Sequence, residues 1–435
     1  MHQNKMEIMP IKKLVIHMSL PIIISMLVQA LYNIVDSMFV ARVSEEALHA
    51  VSLAYPVQTI MIALACGTGV GINALLSRTL GQKNKEKADQ VVMHGLLVSI
   101  GNGILFLLFG IFGSRFFINL FTQDQEILQL GSTYLWVCCI FSVFVFIQIT
   151  YERIMQATGN AFYNMVMQGI GALINIILDP IFIFGLSLGV LGAAIATILG
   201  QCVAMTLGIW ITKKKIKEIS ISFSSFHWDI NIIQEIYRVG IPAILIQSIM
   251  SFMTLLMNTI LITFQVLAVT VFNIYFKLAQ FAFMAINGLN NALIPIVSFN
   301  YGAKHPQRAQ ESIRFALIIS IVIMLGATLV FQLYPKELLL LFDANQTMLE
   351  IGIPAMRWIS LSFVPAGISI ILCAALQASD RSMISLWITI LRQLVILIPL
   401  TYGMMRLFGL DMGWISFVIT EVICMFLSIY GYIKK

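Results

Sequence analysis

Apolar residues in this chain gather into twelve runs, near residues 14 to 38, 50 to 76, 90 to 112, 128 to 150, 162 to 184, 188 to 211, 238 to 262, 269 to 297, 312 to 333, 350 to 376, 383 to 405 and 411 to 432. Each is bounded by polar residues or by Gly and Pro, and each is long enough to cross a bilayer at roughly 20 residues per crossing. Such a chain cannot fold as a soluble domain. Of its 435 residues, 59% are hydrophobic and 11% charged, against about 25% charged in soluble proteins. Few residues remain for a separate soluble catalytic domain. In hydrocarbon every backbone polar group must pair internally, so only helices or a closed barrel can span. Continuous runs of this length are helices rather than the short alternating strands of a barrel. The expectation is an all-α integral membrane protein with twelve transmembrane helices.

The net charge of +6 reports topology rather than a nucleic-acid partner, because of where the charges fall. Nineteen of the 26 Lys and Arg flank one side of the predicted spans, in the amino terminus, the loops after spans 2 and 8, the span 6 to 7 connection and the carboxy terminus, together with Arg153 and Arg381. Five flank the other side: Arg42, Arg115, Lys336, Arg357 and Arg406. The positive-inside rule then places both termini in the cytoplasm. The polar, basic start of the chain leads into a full-length apolar run without a small-residue cleavage pattern, so no removable signal is expected. The six Cys all lie within apolar runs without CxxC spacing and are expected as small core residues.

A shift of 221 residues brings the two halves of the chain into register. Pro21 meets Pro242 and Gly67 meets Gly288. Ser77, Gly81, Lys83 and Ala88 fall on Ser298, Gly302, Lys304 and Ala309, while Gln156 and Ala157 fall on Gln377 and Ala378. The predicted organisation is two pseudo-symmetric six-helix bundles: residues 1–211, a cytoplasmic linker at 212–236 containing His227 and Trp228, and residues 237–435. Six spans is an even number, so the bundles run in the same sense about an axis along the membrane normal, which allows them to rock about a central site.

An ionisable group in the middle of a span costs at least about 2.5 to 3.5 kcal/mol on insertion scales, and is a functional candidate by default. Asp36, Asp179, Lys277, Arg392 and Glu421 meet that description. Gln29, Asn33 and Asp36 share one helix face, with Tyr32 one turn before the acid. In span 5, Asn175 and Asp179 are stacked four apart, and Pro180 loosens the helix beside the acid. Span 6 offers Gly192, Ala196 and Gly200 for close helix approach, with Thr197 beside them. Together they suggest a first-half pocket for protons or a hard monovalent cation; the alternative is acids that are merely paired. The repeat provides a control, since the mates of Asp36 and Asp179 are Met257 and Leu400. Lys277 and Arg392 either bind an anionic group or snorkel to a surface, and Glu421 is a possible partner of Arg392. Glu152 reads as an interfacial pair with Arg153, or else as a pocket residue. His94 reads as interfacial.

GxSxG, HExxH and GxxxxGK[ST] are absent, so neither hydrolysis nor ATP-driven transport is indicated. The run PIIISMLVQALYNIVDSMFVARVSEEALHAVSLAYPV, the paired loops SRTLGQKNKEKA and SFNYGAKHPQRA, and NIILDPIFIFGLSLGVLGAAIAT resemble the multidrug and toxic compound extrusion (MATE) family of the wider flippase superfamily. The resemblance covers nearly the whole chain. It implies a V-shaped pair of bundles in the plasma membrane, expelling small lipophilic, often cationic compounds in exchange for H⁺ or Na⁺. It carries the first-lobe ion site onto Asp36, Asn175, Asp179 and Thr197, helix bending onto Pro21, and a further acid onto Glu152. The chain departs from the branch with acids in spans 7 and 10, having residues such as Met257 and Asn258 there. No enzyme activity, cofactor, metal beyond Na⁺ or nucleic-acid partner is expected, and a monomer is. One alternative is a flippase for lipid-linked sugars or lipid precursors, favoured by a cationic cavity through Lys277 and Arg392. The major facilitator group also has twelve spans and parallel repeats, but its basic and acidic motif after span 2 is missing.

Overall fold

A computed structural model describes residues 4–221 and 226–434; residues 222–225 of the predicted linker, and Lys435 of the basic carboxy terminus, lie outside it. The described chain is all helical, with ten helices long and apolar enough to cross a membrane. They are Ile11–Ala41 (span 1), Glu45–Gly81 (span 2), Lys85–Asn119 (span 3), Ala161–Gly185 (span 5), Gly189–Lys215 (span 6), Ile230–Phe264 (span 7), Val266–Gly302 (span 8), Pro306–Leu333 (span 9), Ser382–Phe408 (span 11) and Leu410–Ile433 (span 12). Spans 4 and 10 are broken. Gln125–Ile140 and Ser142–Ala157 meet at 48°, and Gln346–Ser360 and Phe363–Ala378 at 45°. Counting each bent pair as one span gives twelve.

The helices start where capping chemistry allows. Ser44 accepts from the Ala47 N–H at 3.0 Å, with Glu45 and Glu46 in the first turn of span 2 favoured by the helix dipole. Asp124 accepts from Glu126 and Ile127, and its repeat mate Asn345 accepts from Met348 at 2.9 Å. Spans 2 and 8 run to 37 residues each, about 55 Å at 1.5 Å per residue. They extend past the apolar runs because helix-forming polar residues continue the hydrogen-bond ladder beyond the hydrocarbon.

The 221-residue repeat holds at the level of single bonds. Ser77 Oγ donates to the Ala157 carbonyl at 3.3 Å, and Ser298 Oγ to the Ala378 carbonyl at 3.2 Å. Lys83 and Lys304 turn their helices with φ of 59° and 60°, and Gly159 and Asp380 do so with 77° and 61°. Positive φ is uncommon outside Gly, so matched instances mark one turn used twice.

By packing, the chain divides into one unit of Met1–Met9, Leu20–Ile244 and Gly302–Lys304, and another of Pro10–Ser19, Leu245–Tyr301 and His305–Lys435. The divisions within spans 1 and 7 fall beside the equivalent prolines Pro21 and Pro242. Proline removes a backbone donor and clashes with the preceding turn. In span 1, Ser25 Oγ also donates back to the Pro21 carbonyl at 2.9 Å, an interaction that bends helices. In the first unit, one core gathers Val57, Met61, Phe106, Tyr134, Phe146 and Ile198, and another surrounds Ile72, Leu76, Met155 and Ile236. The second unit is dominated by aromatic packing, including Tyr275 against Phe363 (6.3 Å) and Phe331 against Phe363 (5.2 Å between centroids).

Described residues on either side of 222–225 pack along span 3. The Ser220 N–H donates to Asp89 at 2.6 Å, the His227 N–H to Gln90 at 3.3 Å, and the Asp229 N–H to His94 Nε2 at 2.9 Å. His94 is fully buried, between Phe226 and Trp228 at 5.0 and 5.7 Å, near the start of span 3, where it holds the linker as a latch.

Candidate functional site

The polar centre of the first unit is built by spans 1, 5 and 6. Span 5 remains α-helical to Pro180 and continues as a π-helical turn over Ile181–Gly185. Proline withdraws one ladder bond at that point, and a wider turn absorbs the mismatch, a device frequent at functional sites. Span 6 approaches closely because its small residues permit it: a Cβ on Gly192 would lie 2.7 Å from the Phe182 carbonyl carbon, and one on Gly200 would lie 2.8 Å from the Gly171 oxygen. That contact sets Thr197 against Asn175. With the Asn175 amide turned so that its oxygen meets donors and its nitrogen acceptors, the nitrogen donates to Asp179 Oδ2 at 3.2 Å, while the oxygen accepts from the Thr197 N–H at 3.2 Å and from Thr197 Oγ1 at 3.3 Å.

Asp179 is completely buried and Asn175 nearly so, at 3% exposure. Asp36, from span 1, is only partly buried. Its carboxyl group is close enough to that of Asp179 for the two acids to interact directly, and its Oδ1 is buried without a partner. Two ionised carboxylates are both acceptors only. Such a contact is bonded when the pair shares a proton, or when a cation lies between the oxygens. The structure thus brings Asp36, Asn175, Asp179 and Thr197 together, with Asp36 on the accessible side. Tyr32 lies within electrostatic range of both acids.

Two residues that the sequence reading passed over complete the surroundings. Gln58 Nε2 donates to the Tyr134 hydroxyl at 3.3 Å, and Tyr134 lies within electrostatic range of Asp36 and Tyr32. Uncharged polar residues in a span give little sequence signal. Gln29 and Asn33, on the face of Asp36, are exposed, and Pro21 is buried. Glu152 belongs to a different network. It accepts from Gln156 at 3.1 Å and from Gln168. Gln156 in turn accepts from Arg153 at 3.2 Å and Asn73 at 3.3 Å.

In the second unit, Met257 is fully buried where its mate carries an acid. Arg392 and Glu421 form the pair anticipated from the sequence, with Nε 3.5 Å from Oε1 and side chains 12% and 16% exposed. They line a cavity of about 340 Å³ whose other charged lining residues are none, and whose wall includes Phe272, Tyr275, Phe283 and Asn290. Lys277 is exposed and stands outside that lining.

The MatE family model matches residues 21–181 and 242–403, the same two halves that the internal repeat defines. Over 417 residues the chain is 29% identical to the multidrug export protein MepA of Staphylococcus aureus, covering 95% of this chain and 92% of that one. It is 27% identical to the protein of the same description from Staphylococcus haemolyticus, with 96% and 92% covered. Among solved structures, a transporter of the MOP superfamily from Pyrococcus furiosus superposes with a TM-score of 0.90 at 27% identity, covering 97% of this chain and 95% of its own. An outward-facing multidrug resistance transporter of the MATE family gives 0.89 at 28% identity, with 97% and 94% covered.

Proposed function

This chain belongs to the MatE family, and from that premise we propose that it exports small lipophilic, often cationic compounds across the plasma membrane in exchange for H⁺ or Na⁺. The observation that carries this reading is the contact between Asp36 and Asp179, held in a pocket whose other ligands are the neutral Asn175 and Thr197. Two acids facing each other without a basic partner between them are a site for a monovalent cation or for a shared proton. An ion entering past the accessible Asp36 is handed to the buried Asp179. Its arrival neutralises repulsion within the first unit, and its departure on the other side restores that repulsion. An ion with different affinities for two conformations shifts the equilibrium between them, which is what alternating access requires. The description of the relatives as multidrug exporters supports the cargo class.

The proposal includes a monomer with both termini in the cytoplasm and no bound cofactor. The flippase alternative called for a cationic cavity, and the second-unit cavity instead pairs its Arg392 with Glu421.

In inverted vesicles or proteoliposomes, gradient-driven efflux of a fluorescent cationic dye is expected to fall to background in Asp36→Asn and Asp179→Asn proteins. Full gradient-dependent efflux by either variant overturns the proposal. Nigericin, which collapses the proton gradient, and monensin at constant pH, which collapses that of Na⁺, separate the two ions by which one stops efflux.

A further inference from the structure

We propose that the second-unit cavity is a binding site for a zwitterionic aromatic compound, one that carries an ammonium and a carboxylate and no net charge. The inference rests on the export reading for its physiological meaning, and on the cavity alone for its chemistry. The site lies within one unit, on spans 7, 8, 10, 11 and 12, apart from the Asp36 and Asp179 pocket.

At about 340 Å³ the cavity is in the size range of small-molecule pockets, about 300 to 1,000 Å³. Its wall offers the rings of Phe272, Tyr275 and Phe283, with Met250 and Met253 beside them. Aromatic faces attract flat rings and cations alike, and Met adapts to irregular shapes. Shape and apolarity by themselves therefore do not choose among drug-like guests.

The charges do choose. The lining carries one cation and one anion, Arg392 and Glu421, and their contact is incomplete. Nε lies 3.5 Å from Oε1 without a hydrogen bond, Glu421 Oε2 is buried without a partner, and so is Asn290 Oδ1. Unused acceptors and an unused guanidinium donor thus belong to side chains that line the same space. A buried charge stripped of its partner is strongly unfavourable. A cationic guest that engages Glu421 draws it away from Arg392 and leaves the guanidinium uncompensated, and an anionic guest does the same to Glu421. A guest with both charges satisfies each side chain and adds no net charge. Arg392 sits on a π-helical turn, Leu391–Val395, where the ladder departs from regular α geometry and the side chain is re-aimed, so the pair has a place at which to open.

The test uses three fluorescent probes that share one dansyl ring and differ in charge: Nε-dansyl-lysine (zwitterion), dansylcadaverine (cation) and dansylglycine (anion). Equilibrium binding is read by fluorescence on the full-length protein in lipid nanodiscs, with empty nanodiscs subtracted and no ion gradient. We expect the zwitterion to bind at least tenfold more tightly than either other probe. Glu421→Gln is expected to make the anion the best ligand, and Arg392→Gln to make it the cation. The double variant Arg392→Gln/Glu421→Gln, which buries no unpaired charge, is expected to bind all three within about threefold. It decides the matter if a single variant fails to fold. Equal binding of the three probes by the unmodified protein, or an unchanged order in the double variant, overturns the proposal. Because the reading is made at equilibrium without a gradient, failure of ion-driven efflux in the vesicle assay is a separate outcome.

Discussion

At the scale of single residues, the first-unit site depends on an uncharged side chain as much as on its acids. Asn175 is the donor to the fully buried Asp179 and the acceptor for Thr197. An Asn175→Leu protein keeps the volume but leaves an acceptor without its donor, which costs about 1–3 kcal/mol. The expected result is a lower thermal midpoint in detergent together with weaker ion-driven efflux, and an unchanged midpoint would argue against the bridge. Thr197→Val, which removes one hydroxyl on the partly exposed side, is expected to weaken efflux several-fold with little change in midpoint. Asp36, Asp179 and Asn175 were legible in the sequence because charge within an apolar run is expensive and a four-residue spacing stacks side chains. Gln58 and Tyr134 were not, since an uncharged polar residue in a span has many satisfied positions open to it and only packing selects one.

At the scale of elements, the predicted spans appear as helices, but their internal geometry departs from the continuous runs expected. Spans 4 and 10 bend by 48° and 45° beside Phe141 and Leu361; Pro365, four residues after Leu361, withdraws the donor to that carbonyl, whereas neither a Pro nor a Gly stands at the span 4 break. The span 10 bend thus has a local signal in the sequence, and the span 4 bend has no Pro or Gly to announce it. The loosening of span 5 beside Asp179 was legible, because Pro180 announces a lost ladder bond, and a π-helical turn follows it; the π-helical turn at Leu391–Val395 ends four residues before Pro399, which withdraws the donor to the Val395 carbonyl. Close approach of spans 5 and 6 was visible in the small-residue spacing, and Gly192→Leu is expected to abolish folded, monodisperse protein, because even a Cβ there meets Phe182 backbone at 2.7 Å. His94 gives the linker a separate test. His94→Ala removes the acceptor for the Asp229 N–H and is expected to speed tryptic cleavage in the basic stretch Lys213 to Lys217 several-fold, whereas cleavage at the unmodified rate would show that the latch holds nothing.

At the scale of the whole molecule, the positive-inside pattern predicts that alkaline phosphatase fused to the carboxy terminus is inactive and green fluorescent protein fused there is bright; the opposite pair of results would reverse the assigned orientation. The repeat of 221 residues fits the same scheme, with two copies of one six-span plan of which only the first retains its acids. Sequence alone determined the number of spans, the duplication and the acids worth suspecting. Hydrophobic runs, fixed offsets and intramembrane charge act along the chain, and each has a penalty large enough to leave a readable pattern. Tertiary structure alone decided which polar side chains meet in the first unit, where span 4 bends and which buried ion pair lines a cavity. Those outcomes turn on ångström-scale packing between segments distant in sequence, where competing arrangements differ by the energy of one or two hydrogen bonds.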